Sequence, residues 1–115
     1  MFQIRQDQID AFEAAAVAQA NASLAKYARE RFQEHFVGKP EAELLTFVAG
    51  VRESAKNYQV TAEADVATAL DLTVMYGTEF YNAVWARDVF DIEGWDGGHK
   101  MNILRQRVRS QVPEF

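Results

Sequence analysis

From Thr61 to Gly77 the chain reads TAEADVATALDLTVMYG, and beyond Val66 the residues are apolar nearly all the way round a helical wheel. A helix of this kind has no face to give to water, so it must lie inside the fold with other elements packed around it. Thr61 is placed to cap its start and Gly77 to end it. Its mid-helix acid, Asp71, has Ala67, Thr68, Val74 and Met75 as neighbours three and four residues away. An acid on so apolar a surface needs a partner. The preceding helix is the natural source, because a connection as short as Asn57–Thr61 makes the two antiparallel neighbours. Arg52, at the edge of that helix's apolar stripe, is therefore the expected partner of Asp71 in a buried structural pair. The hydroxyls of Tyr58 and Tyr76 are the alternatives.

The rest of the chain supplies what this helix needs. Neither proline, Pro40 nor Pro113, falls within a periodic run, and no strand-like alternation is sustained. Ile9, Phe12, Ala16, Ala20, Leu24, Ala28 and Phe32 recur at helical spacing and predict a long first helix from about Asp7 to Phe36, with one buried face. Helix propensity dips at Asn21-Ala22-Ser23, which makes a bend there the alternative to an unbroken helix. The alanines between Ala14 and Ala28 read first as helix propensity and second as a seam for a partner. Met1 to Arg5 reads as extended, with Phe2 and Ile4 packing back. Gly38-Lys39-Pro40 separates the first helix from a second, whose stripe is Leu44, Phe47, Val48, Val51, Ala55 and Tyr58. A short helix follows around Val84 to Phe90, then a glycine-rich acidic loop, DIEGWDGG. The last helix runs from about His99 to Gln111, with Met101, Leu104, Val108 and Val112 on one side. The expectation is an all-α, single-domain bundle of four to five helices over residues 1–115, with a long first helix and a buried central one.

Composition narrows the chemistry. With 49% hydrophobic and 25% charged residues the chain is globular rather than disordered. A net charge of −5 disfavours nucleic acid, which wants a basic face. Cysteine is absent, which removes disulfides, thiolate nucleophiles and cysteine-ligated metals. No apolar run is long enough to span a membrane. The first residues lack the pattern of a secretory signal, so the cytoplasm is the expected compartment.

No catalytic constellation emerges. Glu30 is followed three residues later by Gln33, not the histidine that a carboxylate-bridged metal pair requires. His35 and His99 form no His-x-x-x-His pair for zinc. His35 reads as a structural residue late in the first helix, and nothing marks His99 as a base. Ser23, Ser54 and Ser110 lack a glycine elbow or a neighbouring histidine. GWDGGHK has neither a preceding strand nor a Ser or Thr after Lys100, so it is no phosphate loop. Neither a metal nor a cofactor is expected, and the chain reads as a non-enzyme.

Two features read as surface. The end of the chain carries Lys100, Arg105, Arg107 and Arg109 against the single acid Glu114. It is either the solvated side of a packed helix or a docking face for an acidic partner. Of the aromatic residues around the loop, Phe80, Tyr81, Trp85 and Phe90 are expected to close the core. Trp95, between acids and glycines, is expected to be exposed, as interface anchors often are. The expected partner-binding residues are therefore Trp95, Lys100, Arg105 and Arg109.

The order Arg52, Tyr58, Glu63-Ala64-Asp65-Val66, Asp71-Leu72, Tyr76-Gly77, Phe80 and Trp85-Ala86, with the opening FQIRQDQ, resembles a family of small all-helical accessory proteins of bacterial type VI secretion loci. The resemblance covers about two-thirds of the chain. The family commonly has glycine after the tyrosine where this chain has Gln59. It implies a helical fold and a role as chaperone, adaptor or immunity protein for a co-encoded secreted toxin, and it carries over no catalytic residue. The alternative, from another class, is a small helical enzyme or ligand-binding bundle with a pocket near Asp71 and the aromatic cluster.

Overall fold

The computed structural model describes the backbone of residues 6–111, and the side chains there apart from those of residues 6, 7, 9 and 109–111. The expectations for Met1–Arg5, Val112 and the side chains of Ile9 and Arg109 lie outside the described residues. The chain is all-α. Its helices are α1 (Gln6–Arg31), α2 (Gln33–Phe36), α3 (Glu41–Asn57), α4 (Glu63–Tyr76), α5 (Val84–Phe90) and α6 (Gly97–Gln111), with a 3-10 turn at Phe80–Asn82 between α4 and α5. The chain divides into two compact units, Met1–Val48 and Ala49–Phe115, the boundary falling within α3.

In the first unit α1 is continuous through Asn21–Ser23, without the bend that is the alternative to an unbroken helix there. The propensity differences there amount to tenths of a kcal/mol per residue, too little to break a helix. The break falls instead at Phe32, whose backbone (φ −122, ψ 54) leaves helical geometry before α2 restarts the spiral. This turn brings Phe36 fully inside, against the ring of Phe47 at 5.4 Å. Leu24, Ala25, Ala28, Leu44 and Val48 are also buried. Arg29 closes the corner by donating to the carbonyls of Phe36 (3.4 Å) and Lys39 (3.1 Å). Those carbonyls lie at a helix end and the turn after it, where an arginine suits both the orphan acceptors and the dipole. The expected buried face does not extend to the start of α1: Phe12 is 72% exposed, and residues 10–19 all face solvent.

In the second unit α4 is central, as its composition requires. Val66, Ala69, Leu70, Leu72 and Thr73 are buried, and Thr73 returns its hydroxyl to the Ala69 carbonyl (2.7 Å). Gly77 ends the helix at φ 94 with its amide on the Thr73 carbonyl. The start differs from expectation. Ala62, not Thr61, is the N-cap, and no side chain caps the helix. Glu63 and Asp65 in the first turn supply the negative charge that this end favours.

The α3–α4 turn is built around Gln59. Its amide reaches the Lys56 carbonyl (3.0 Å) while that of Val60 reaches Ala55 (2.9 Å), the paired bonds of a Schellman stop. That stop places its residue in the left-handed region, and Gln59 sits there at φ 63. Glycine normally occupies such a position because a Cβ is disfavoured there. Buried Val60 and Ala55 provide the apolar contact that fastens the turn. The start of α6 rests on this turn, and the rest of α6 packs against α4 and α5. Asp96 caps α6, its Oδ1 accepting from the His99 amide at 2.7 Å.

Candidate functional site

Lys100, Arg105 and Arg109 of α6 are the expected partner-binding cations, with the solvated side of a packed helix as the alternative. Lys100, Arg105 and Arg107 each bond to a neighbouring helix. Lys100 donates from Nζ to the Phe90 carbonyl at 2.9 Å, stapling α6 to the end of α5. Arg107 bridges the Trp85 carbonyl (2.9 Å) and Asp88 Oδ1 (2.7 Å). Arg105 pairs with Asp65 and donates from Nε to Thr68 Oγ1 at 3.0 Å, joining α6 to α4. Lys100 and Arg105 therefore make contacts within the fold. An arginine chain has the reach to satisfy backbone carbonyls and a carboxylate together, and a helix packed beside two others finds both.

Asp71 is the acid expected in a structural pair with Arg52. It is half-buried and engaged, while the buried acid of α4 is Asp65, 8% exposed. Arg52 holds the Glu63 carboxylate through both guanidinium ends, at 2.6 and 3.1 Å. Its own side chain is largely covered and that of Glu63 is exposed. Two-point geometry of this kind is the strong form of an arginine–carboxylate contact, but one open side leaves it screened by water.

The Arg107–Asp88 pair gives a pH signature. The hydrogen bond from Arg107 holds the Asp88 carboxyl below its ordinary range, with desolvation opposing the effect and the charge of Arg107 adding to it. A carboxyl depressed in the folded state contributes stability above its unfolded pKa, and that stability is lost as pH falls through the folded value. The pair is exposed, so about 0.5 kcal/mol or less is expected. A carbon-13 titration of the Asp88 carboxyl checks this. Its midpoint should lie below the ordinary range and return to it in Arg107→Gln; an ordinary midpoint in the native chain would remove the pair from the account.

An aromatic cluster closes the second unit. Tyr58 and Tyr81 stack face to face at 4.0 Å, and Phe90 packs against both at 5.2 and 5.0 Å. Phe80 continues the stack from the other side of Tyr81 (3.9 Å). Burial, and then the neighbouring Tyr58, push the Tyr81 hydroxyl above the usual tyrosine range, and that hydroxyl has no hydrogen-bond partner. A buried donor without a partner is destabilising. Tyr81→Phe should therefore raise stability by about 1 kcal/mol in urea unfolding. A loss instead would mean that a bound water satisfies the hydroxyl.

Beside this cluster lies a pocket of about 190 Å3, between the end of α3 (Ser54, Asn57) and the segment after α4 (Thr78, Glu79, Asn82), with Tyr58 and Tyr81 as its aromatic wall. Asp71 is not among the described residues that line it. A wider hollow of about 660 Å3 follows the α1–α2 corner from Glu30 to His35, open to solvent and formed by a single turn of chain. Trp95 is 41% exposed on the loop before α6, its ring edge-on to His99 at 4.5 Å. No group of three or more His, Asp or Glu side chains converges as a metal site among the described residues, and no described helix is long and apolar enough to cross a membrane.

Phe12 and Ala16, expected on the buried face of the first helix, lie in an exposed, alanine-rich stretch. Across residues 10–19 of α1, Ala11, Phe12, Ala14, Ala15, Ala16, Val17 and Ala18 all face solvent. The signal was present in the sequence, since these residues surround the helix rather than forming a stripe, but periodicity alone does not say whether such a segment is covered by its own chain. Compared with protein-family models, curated proteins and solved structures, the chain matches none.

Proposed function

We propose that this chain is a non-enzymatic, protein-binding accessory of a bacterial type VI secretion system, acting in the cytoplasm on a co-encoded secreted toxin as chaperone-adaptor or as immunity protein. The observation that carries the protein-binding part is the start of α1. Among the alanines of this stretch, Phe12 is 72% and Val17 47% exposed. Exposed contiguous apolar surface marks interaction sites, and a helix is well shaped to lie in a partner's groove. Trp95 offers a second anchor on the other unit. The secretion context comes from the family resemblance alone.

The test is co-purification with the neighbouring toxin, using a Phe12→Asp/Val17→Asp variant. Both positions are exposed, so the helical circular dichroism should be retained while capture of the toxin falls by at least about tenfold. Undiminished capture would move the interface elsewhere; no capture by the native chain would end the reading. Rescue of a toxin-sensitive cell then identifies an immunity protein, and loss of secretion without rescue an adaptor. A second reading, a ligand-binding bundle, is favoured by the pocket beside Tyr58 and Tyr81, although that pocket is not lined by Asp71.

A further inference from the structure

We propose that the pocket between the end of α3 and the segment after α4 binds a primary ammonium group on a short alkyl stem, the chemistry shared by a lysine side chain and a free alkylamine. Each described residue lining the pocket carries a side-chain oxygen, and Glu79 is the one carboxylate among them. No described lining residue is basic. Such a lining repels anions and offers hydrogen-bond acceptors to a cation.

The Glu79 carboxylate is fixed by a hydrogen bond from Asn82 Nδ2 to Oε2 at 2.9 Å. A carboxylate has about four acceptor positions, so Asn82 leaves capacity for a second donor. An ammonium brings three donors, and the serine, threonine and amide oxygens around it can take the others. The ring of Tyr58, braced flat against Tyr81 at 4.0 Å, lines the pocket as a rigid apolar element for the stem.

Size and charge argue against a bare metal ion. Calcium takes about six to eight oxygens at about 2.3–2.6 Å, usually with several carboxylates. Here one carboxylate faces a space of about 190 Å3, far larger than an unhydrated ion. An alkylammonium fills that volume and needs only one countercharge. The inference rests on this pocket alone and does not depend on toxin binding.

The experiment is a titration of the full chain with n-butylammonium chloride, followed by the backbone amide signals of Ser54, Asn57, Thr78 and Asn82. Sodium chloride sets the ionic strength, and 1-butanol serves as the neutral isostere. Saturable shifts with a Kd on the order of 1 mM are expected, about tenfold weaker for butanol. Glu79→Gln, at an exposed position, should abolish the preference for the amine. N-acetyl-lysine amide reproducing the shifts would name a lysine side chain as the source, and its failure beside successful butylammonium binding would name a free amine. Non-saturating shifts, an equal response to butanol, or unchanged binding in Glu79→Gln would overturn the proposal.

Discussion

Replacing Gly97 with alanine is expected to destabilise the protein by about 3 kcal/mol or more, lowering the melting temperature by roughly 10 °C or more. A Cβ there would stand 2.1 Å from the Gln59 carbonyl oxygen, 2.5 Å from its carbon and 2.9 Å from the Val60 nitrogen. All three are backbone atoms of the Schellman stop, whose hydrogen bonds and buried Val60 hold them in place. A flexible side chain could swing aside, but this turn can make room only by opening or by pushing the start of α6 away. The same substitution at Gly50 gives a control of opposite sign. That glycine lies inside α3 and a Cβ would meet nothing within 4 Å, so Gly50→Ala should stabilise by up to about 1 kcal/mol. Thermal and urea unfolding of the two variants check both signs. A Gly97→Ala loss below about 1 kcal/mol would show that the turn and helix are not held together as tightly as the geometry requires.

The second large effect is expected at Asp65. Its side chain is 11% exposed and that of Arg105 is 30%, and the two join α4 to α6. Asp65→Ala strands a guanidinium that retains only Thr68 in this contact. Breaking a buried pair typically costs about 3–5 kcal/mol. The partial exposure of Arg105 and its bond to Thr68 lower the expectation to about 2–4 kcal/mol. Removing both charges in Asp65→Leu/Arg105→Met should recover much of the loss, because apolar groups of similar volume replace a buried pair well. A double-mutant cycle in urea measures the coupling. A coupling below about 0.5 kcal/mol would reduce the contact to the rank of an exposed surface pair.

These two sites differ in how visible they were. Gly97 begins α6 in a glycine run that is legible in the sequence, but no local rule says which of these residues must be glycine. Its φ lies outside the left-handed region, and the constraint comes from a backbone 38 positions earlier pressing on it. Asp65 was visible as an acid in the first turn of a helix, where a carboxylate is ordinary and asks for no partner. Asp71 drew attention because its neighbours in sequence are apolar, yet burial depends on what the rest of the fold lays over each face. Gln59 shows the reverse. The turn adopts its left-handed stop although the sequence lacks the glycine that normally signals one, because Val60 and Ala55 secure it from both sides.

The sequence by itself determined the helices and most of their ends: an all-α chain, a central α4 that has to be buried, Gly77 as its stop, and α5 over Val84–Phe90. Those features follow from periodicity, propensity and glycine conformation, which act within a few residues. Only the tertiary structure decided the pairings. It set Lys100, Arg105 and Arg107 against neighbouring helices, made Asp65 the buried acid of α4, and set oxygen-bearing residues from two separate segments around one pocket. It also left the start of α1 uncovered. Such outcomes depend on which faces meet across tens of residues, and no local spacing along the chain encodes them.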